Sequence, residues 1–350
     1  MAGRTFKGGI HPPYNKELTA HKAIEAGPDP AEIVIPLSQH IGAPCEPLVA
    51  KGDEVKAGQK VGEARGFISA PVHSSVAGKV RAVEFRPHSS GSPALSVVIR
   101  AAATEATEAV KVERTGDTVE ALREAAREAG LVGLGGAAFP THVKLTPPEG
   151  KTVDTVLING CECEPYLTCD HRQMLEQAEQ MLDGLELISK MVGAKTGYIG
   201  IEDNKKDAIK HLKQLTKGMS NVTVVRLATK YPQGFEKKLI EAVLGRVVPL
   251  GGLPSDIGVV VQNSGTAIAL SEAVRDGKPL IERVVTVTGR GVAEPKNLRV
   301  KIGTPAQALV DFCGGAEGET GKIVFGGPMT GAVQTGLEAP VVKGTSGILL

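Results

Sequence analysis

Acidic, amide and thiol side chains are concentrated in one short stretch, LINGCECEPYLTCDHRQ, residues 157–173. Three of the chain's five cysteines lie there, namely Cys161, Cys163 and Cys169. Their spacing matches neither the paired C-x2-C of structural zinc sites nor the C-x2-C-x2-C-x3-C run of iron–sulfur clusters. The carboxylates of Glu162 and Glu164 favour harder ions, but no loop of carbonyl ligands accompanies them. We therefore predict no metal site in this stretch.

The same stretch begins where a predicted buried strand, TVDTVLING, ends. Ligands of open parallel sheets bind at the carboxyl ends of the strands. We therefore interpret Asn159 and the acids that follow it as groups that face an organic ligand. For the cysteines, the alternative is that they are small, partly buried packing residues.

A glycine-rich loop, Gly133-Leu134-Gly135-Gly136-Ala137-Ala138, is the second candidate site. It matches the pattern G-x-G-x-x-A, but that motif follows a strand, and here a predicted helix at 118–129 precedes it. We therefore disfavour the usual dinucleotide interpretation. Consecutive glycines still expose backbone N–H groups to an anion or a flat ring. Phe139 and Lys144 follow, an aromatic ring and an ammonium that suit a nucleotide-like ligand. A tight turn with a core phenylalanine is the alternative.

Two further loops follow predicted strands and open helices. In YPQGFEKK, Gly234 permits a close backbone approach and the helix start favours a phosphate. In VQNSGT, the amides of Gln262 and Asn263 suit the edge of a heterocycle, or they cap the next helix. Four weak candidates at the loop ends of one α/β unit favour a single cofactor pocket over four coincidences.

Composition and patterning place these loops in a multidomain α/β chain. With 350 residues, 40 Lys plus Arg and 39 Asp plus Glu, the near-neutral chain gives no case for a nucleic-acid partner. Short strands between turns predict an all-β barrel or sandwich in residues 31–100. The stretch AAATEATEAVKVERTGD resembles a linker. Helices and strands then alternate, which predicts a largely parallel sheet. We place the domains at 1–103, 117–280 and 281–350.

The motifs together resemble a known family. GLGGAAFPTHVK resembles the flavin loop of the FMN-binding subunit of respiratory NADH dehydrogenase, and NGCECEP, YPQGFEKKLIEAVLGR and VQNSGTAIAL resemble its later segments in the same order. The front end, TFKGGIHPPYNKELT with QHIGAPCEPLVAKGDEVKAGQKV, is similar to one branch of that family. This branch is the RnfC family, whose members belong to the Rnf complexes, ion-coupled ferredoxin:NAD oxidoreductases of bacterial membranes.

The resemblance implies a Rossmann-like FMN domain between a biotinyl- or lipoyl-like barrel-sandwich and a β-grasp (soluble-ligand-binding) domain. It implies roles for two sets of residues. Phe139 and Glu164 would bind NADH. The FMN set is Gly133, Gly135, Gly136, Lys144, Asn159, Cys161, Glu162, Gly234, Glu236, Gln262 and Asn263. This chain departs from the family pattern at Cys161, Phe235 and Ala138, where the family has Asp, Glu and Gly.

Further expectations follow from the resemblance. The carrier hairpin reads Glu63-Ala64-Arg65-Gly66 without a lysine, so we expect no biotin or lipoate. We expect [4Fe-4S] clusters only in a module beyond the abrupt apolar end of this chain. The expected partners are NAD(H), the other Rnf subunits and, indirectly, ferredoxin, at the cytoplasmic face of the bacterial membrane. The alternatives are a corrinoid reductase, whose barrel-sandwich domain follows the flavin domain, and a non-catalytic assembly scaffold.

Overall fold

The computed structural model describes residues 3–103 and 108–350, so the middle of the predicted linker, 104–107, lies outside the described residues. An N-terminal segment, 3–30, precedes three units. We name them the barrel unit (31–103), the α/β unit (108–280) and the β-grasp unit (281–350). Two short 3-10 helices, Lys16–Leu18 and Pro254–Ile257, lie in the N-terminal segment and in the α/β unit.

The barrel unit contains short antiparallel strands, as the turn-rich sequence predicts. Including β1 of the N-terminal segment, the strands are β1 (Ile24–Ala26), β2 (Glu32–Pro36), β3 (Glu46–Pro47), β4 (Glu54–Val55), β5 (Lys60–Glu63), β6 (Val72–His73), β7 (Gly78–Arg86) and β8 (Ala94–Ala101). They form one sheet in the order β2-β8-β7-β4 and another in the order β3-β5-β6. Alternate residues of β2 and β8, such as Ile33, Ile35 and Val97, belong to the hydrophobic core of the barrel unit.

The α/β unit is built on a four-stranded parallel sheet. Its elements are α1 (Val119–Glu128), α2 (Thr141–Lys144), β9 (Thr155–Asn159), α3 (Cys169–Glu176), α4 (Ala178–Val192), β10 (Thr196–Glu202), α5 (Lys206–Leu215), β11 (Val222–Leu227), α6 (Glu236–Leu244), β12 (Val259–Asn263) and α7 (Ser264–Asp276). The strand order is β11-β10-β9-β12, and every pair is parallel. The order reverses between β9 and β12. In this fold class that switch point opens a crevice at the carboxyl ends of the strands.

The amphipathic stretch HRQMLEQAEQMLDGLELISKMVG, residues 171–193, would suit one long helix but forms parts of two. The backbone of Gln177 leaves the helical region (φ −131°, ψ 32°) and separates α3 from α4. Both helices contact α7, but α3 also packs against α5 and beside β1 and β13 of the β-grasp sheet, whereas α4 packs mainly along α7. Gly184 makes the second contact possible, because a Cβ there would overlap the carbonyl oxygen of Ala267.

The β-grasp unit contains β13 (Glu282–Thr288), β14 (Lys296–Lys301), α8 (Ala306–Phe312), β15 (Ile323–Phe325), β16 (Ala332–Gln334) and β17 (Gly347–Leu349). Its sheet has the order β1-β14-β13-β17-β15-β16. The first strand comes from the N-terminal segment, with Ile24 in register with Asn297. Nothing in the sequence around 24–26 predicted this pairing. The N-terminal segment therefore completes a sheet that the far end of the chain builds.

A single buried lysine joins the three units. The Lys343 ammonium donates to the carbonyl oxygens of Pro71 (2.6 Å) and Gly130 (2.7 Å), which belong to the barrel and α/β units. Burial lowers the pKa of Lys343 to about 8. Within the part of the chain that the structure describes, no helix combines the length and the apolar character needed to cross a membrane.

Candidate functional site

A cavity of about 650 Å³ opens beside the carboxyl ends of β9 and β12, at the switch point of the sheet. The two strands are in register, so Asn159 and Asn263 lie side by side at its base. Most of the predicted site residues line it: Gly133, Gly135, Phe139, Lys144, Asn159, Glu164, Gly234, Glu236, Gln262 and Asn263. Four loops that are far apart in the sequence thus converge on one cavity.

The remaining three predicted residues lie elsewhere. Gly136 lines an adjoining groove of about 790 Å³, and Glu162 lines a small adjoining cavity of about 100 Å³. Cys161 lines none of these spaces, because its side chain is fully buried beneath the sheet end. Its thiol lies 3.8 Å from the carbonyl oxygen of Gly200, against core residues rather than toward the cavity. The Cys161 side chain therefore does not line the cavity, and its contact with the flavin stays a prediction.

The glycine-rich loop is held at Leu134 and is open at Gly136. The Leu134 N–H donates to the Thr266 hydroxyl (2.9 Å), and the Leu134 carbonyl accepts from the buried Arg283 guanidinium (3.2 Å). Gly136 has φ +109°, and a Cβ there would meet no atom within 4 Å. Ala138, where the family has glycine, also has positive φ, at 49°. The loop therefore presents backbone without side chains to the space in front of it.

An ion pair lies on the cavity wall. The ammonium of Lys144 contacts a Glu236 carboxylate oxygen at 2.5 Å, and about a third of each side chain is exposed. Glu236 is the first residue of α6, and the N-cap residue Phe235 makes no side-chain hydrogen bond to the helix. The cavity wall thus carries a helix N-terminus, which favours an anion, beside a lysine that is paired with Glu236 in the absence of a ligand.

The amides at the cavity base differ in whether the protein already satisfies them. The Asn159 amide donates to the Gly234 carbonyl oxygen (2.8 Å). Asn263 caps α7 by accepting from the Gly265 N–H (2.9 Å), the alternative that the sequence left open. In contrast, the buried Gln262 Nε2 has no hydrogen-bond partner. Buried polar groups are rarely left unpaired, so Gln262 fits a ligand acceptor such as the edge of a flavin.

Glu162 serves the framework as well as the cavity. Its carboxylate accepts from the backbone N–H groups of Asp170 (2.7 Å) and His171 (3.3 Å), which start α3. Burial raises the pKa of Glu162 to about 7, and Lys16, 3.9 Å away, opposes that rise. The resemblance implied that Glu162 faces the flavin; in the structure it lines the small adjoining cavity and not the 650 Å³ cavity.

Sequence reasoning missed Lys16, which lies in the N-terminal segment. Its ammonium donates to three backbone carbonyl oxygens of the acidic loop, those of Glu162 (2.9 Å), Glu164 (2.9 Å) and Leu167 (2.5 Å). No local motif marks this lysine, because its partners lie about 150 residues away. Lys16 therefore fixes the course of the loop that borders the cavity.

Thr330 of the β-grasp unit is the second residue that sequence reasoning missed. Its hydroxyl lies 2.5 Å from a Glu164 carboxylate oxygen, and the Met329 N–H donates to the other oxygen at 3.0 Å. Gly327 packs directly on this carboxylate, since a Cβ there would overlap Glu164 Oε2. Glu164 thus faces the cavity and also anchors a loop of the third unit.

Burial disfavours the thiolate form of the cysteines near the site. Burial raises the pKa of Cys163 to about 11 and places the pKa of Cys161 and Cys169 well above the usual range. Within residues 3–103 and 108–350, ligand atoms of Glu162, Cys169 and Asp170 lie within 4.8 Å of one another. Backbone N–H groups and the Asn263 amide already occupy the two carboxylates. These contacts account for the cluster as a hydrogen-bond network.

Comparisons with known proteins agree with this division of the chain. An RnfC barrel sandwich hybrid domain matches residues 4–104, the Nuo51 FMN-binding domain matches 126–272, and an SLBB domain matches 284–333. The predicted fold class is therefore confirmed. In a crystal structure titled NAD+-reducing [NiFe]-hydrogenase, one chain shares the fold with a TM-score of 0.58 at 22% identity, over 66% of this chain and 46% of that one.

Curated relatives match almost the whole chain. The RnfC protein of the Na(+)-translocating ferredoxin:NAD(+) oxidoreductase complex of Acetobacterium woodii is 51% identical over 99% of this chain and 79% of its own length. The counterpart from the proton-translocating complex of Clostridium ljungdahlii is 48% identical over 99% of this chain and 76% of its own length. This chain accordingly belongs to the RnfC family of the ion-translocating ferredoxin:NAD(+) oxidoreductase (Rnf) complexes.

Proposed function

We propose that this chain binds FMN in the 650 Å³ cavity and passes electrons between NAD(H) and iron–sulfur clusters of an ion-translocating membrane complex. The observation that carries the proposal is the convergence of four family motifs on one cavity at the switch point of a parallel sheet. The barrel domain precedes the flavin domain, which supports this function over that of a corrinoid reductase.

The residues present fit FMN. Lys144 and the open N-terminus of α6 suit its phosphate, and the unpaired Gln262 amide suits an acceptor of its ring. Glycine backbone around Gly135 permits a flat group to approach closely. When bound, FMN supplies hydride exchange with a nicotinamide and single-electron exchange with clusters. The protein's own part is to hold both partners in place and to exclude water between them.

The partners follow from the family and remain part of the proposal. The relatives are named as subunits of ion-translocating oxidoreductase complexes. We place this chain at the cytoplasmic face of such a complex, in contact with its other subunits and exchanging electrons with ferredoxin through clusters. We expect those clusters in another part of the complex. Among the residues that the structure describes, the candidate group of metal ligands is the acidic network described above.

Reconstitution with FMN tests the proposal. Titration of the protein should give saturable quenching of flavin fluorescence, and Lys144→Glu should weaken FMN binding at least tenfold, because it replaces the cation that meets the phosphate. Lys151→Glu is the matched control, since Lys151 pairs with Asp256 and does not line the cavity. An absence of saturable quenching, or identical binding by the Lys144 variant and the parent, would refute FMN binding.

Anaerobic addition of NADH to the FMN-loaded protein then tests catalysis. Loss of the visible flavin absorbance is expected. Retained absorbance with FMN bound would instead support the alternative of a non-catalytic scaffold. That alternative arises because Phe235 stands where the family has an acid.

A further inference from the structure

One face of α5 is lined by lysines. We name it the lysine stripe, and its members are Lys206, Lys210, Lys213 and Lys217, all of them exposed. Their spacing of four, three and four residues places them within about 60° around the helix axis and over about 16 Å along it. Lys217 lies in the turn that continues from α5, where its N–H donates to the Gln214 carbonyl oxygen (3.2 Å). The buried side of α5 packs toward β11 and consists of Ala208, Ile209 and Leu212.

The lysine stripe is not balanced by carboxylates in the described part of the chain. None of its four ammonium groups forms an ion pair there. The two acids nearest in sequence have other partners, because Asp207 pairs with the His171 ring (2.8 Å) and Asp203 pairs with Arg226 (3.3 Å). The whole chain has 40 basic and 39 acidic residues. The stripe is therefore a local separation of charge rather than part of a general excess.

The composition of the lysine stripe suits a lipid surface better than a protein partner. Protein interfaces are depleted in lysine, and tryptophan, tyrosine and arginine supply much of their binding energy. The stripe contains none of these three residue types. A lysine ammonium is a hydrated point charge on a flexible stem, which suits mobile phosphate groups rather than one fixed acceptor geometry. The stripe thus matches the phosphates of anionic lipids in both charge and mobility.

An exposed apolar side chain lies at the end of the lysine stripe. Met219, two residues after Lys217, is 43% exposed. Its N–H donates to the Thr216 carbonyl oxygen (3.0 Å), which closes the turn that presents it. Basic side chains beside apolar ones are the pattern by which helices attach to a bilayer interface, since the charges meet the headgroups and the apolar groups enter below them. Met219 therefore adds an apolar contact to the charge of the stripe.

We propose that α5 rests on an anionic membrane surface, with the lysine stripe against lipid phosphates and Met219 in the headgroup layer. The proposed function holds the chain at a membrane through other subunits, whereas this inference gives the chain a lipid contact of its own. It does not depend on FMN binding.

The position of α5 gives the attached chain an orientation. Because α5 returns from the end of β10 to the start of the parallel strand β11, it runs roughly antiparallel to both strands. A chain that rests on the lysine stripe therefore has its sheet along the membrane. The cavity at the carboxyl ends of the strands then opens sideways, away from the lipid.

Sedimentation with vesicles tests the proposal on the full chain. The parent should sediment with vesicles of phosphatidylglycerol and phosphatidylcholine, and this attachment should weaken as added salt screens the charges. Each lysine near an anionic bilayer strengthens attachment about fivefold, so replacement of all four should lower the partition coefficient about 100-fold or more. This stripe variant carries Lys206→Gln, Lys210→Gln, Lys213→Gln and Lys217→Gln.

The control variant removes the same charge from exposed positions elsewhere. It carries Lys51→Gln, Lys56→Gln, Lys79→Gln and Lys111→Gln. Its partition coefficient should stay within about threefold of that of the parent, because these lysines lie away from α5 and charges beyond a Debye length are screened.

Several outcomes would overturn the proposal. One is a parent that does not sediment with the mixed vesicles, or that sediments equally with pure phosphatidylcholine. Equal losses in the stripe and control variants would overturn it as well, because they would show an effect of net charge alone. Attachment of the parent to immobilised ferredoxin but not to vesicles would assign the lysine stripe to a protein partner instead.

The test also stays separate from the proposed function. Far-UV circular dichroism shows whether each variant is folded. Failure of the parent to bind FMN would refute the proposed function and leave the vesicle result unaffected, so the two proposals can fail independently.

Discussion

Asn159 and Asn263 lie in register at the ends of the adjacent parallel strands β9 and β12, and each amide holds a different loop of the site. Asn159 donates to the Gly234 carbonyl oxygen, and Asn263 donates to the Asp170 carboxylate at 2.7 Å. The switch point of the sheet is therefore also where the loops are fastened to one another. A ligand in the cavity rests on a base whose polar groups are already oriented.

Loss of the Asn263 side chain should reduce stability and flavin binding together. Asn263→Ala removes the cap of α7, worth about 1–2 kcal/mol of unfolding free energy, and leaves the buried Asp170 without its amide partner. Chemical denaturation and FMN titration measure both effects. Thr118→Ala, which removes the cap of α1 away from the cavity, should lower stability and leave FMN affinity unchanged. Equal FMN affinity in the two variants would contradict the prediction.

Lys16 should matter for flavin binding although it does not line the cavity. Lys16→Met removes three hydrogen bonds to the acidic loop and the nearby countercharge of Glu162, which together cost about 3–5 kcal/mol of stability. We expect FMN affinity to fall at least tenfold because the loop loses its fixed course. Lys22→Met is the control, since the ammonium of exposed Lys22 donates to the Pro295 carbonyl oxygen of the β-grasp unit instead of to the acidic loop. FMN titration and thermal unfolding check both variants, and unaltered FMN affinity in Lys16→Met would rule out the positioning role.

Glu162 should make stability depend on pH in a defined window. Burial raises its pKa from 4.5 to about 7 on folding, so between these values the folded chain keeps a proton that the unfolded chain has lost. The contribution of Glu162 to stability therefore falls as the pH rises through the window. Relative to the parent, Glu162→Gln should gain up to about 3 kcal/mol of unfolding free energy between pH 4.5 and 7.

Denaturant titrations across that pH range measure the difference. Glu17→Gln, which removes an exposed carboxyl beside Lys16, controls for the loss of one negative charge. A difference between Glu162→Gln and the parent that stays constant with pH would show that this carboxyl does not titrate in the window.

Phe235 should contribute to dinucleotide binding where the family has an acid. Its ring is 54% exposed at the opening that joins cavity and groove. Stacking of an aromatic ring on a base is worth about 1–3 kcal/mol, so Phe235→Ala should raise the KM for NADH by roughly 5- to 100-fold. Phe235→Tyr keeps the ring and should behave like the parent. FMN affinity should not change in either variant, and a KM for NADH that is the same in all three proteins would exclude stacking.

The features that were predicted from the sequence are those that a local residue pattern determines, such as the buried strands. The apolar runs of β9 and β12 identify strands buried on both faces, and their ends place Asn159 and Asn263 at one edge of a sheet. The first turn of α3 donates to a residue outside the helix, because the N–H groups of Asp170 and His171 bind the Glu162 carboxylate. Contacts between remote segments could not be predicted in this way. Neither Lys16 nor Thr330 lies in a recognisable motif, and each contacts the acidic loop only because the fold brings it there.

Cys161 shows the limit of transferring a role by position. Its place in the family motif is a flavin-facing position, where the family has an acid. In this chain a small thiol stands there, and it packs fully into the core against the sheet end. Its place in the motif therefore does not by itself determine which surroundings the side chain has.

The pairing of β1 with β14 has a consequence for how the protein is made. Ile24 leaves the ribosome about 270 residues before its partner Asn297. Since domains fold in order during synthesis, the barrel and α/β units can fold before β14, the strand that pairs with β1 of the N-terminal segment, has been synthesised. Contacts so distant along the chain form slowly. The last step of folding is therefore expected to draw the first thirty residues over the finished units, and Lys16 reaches the acidic loop only then.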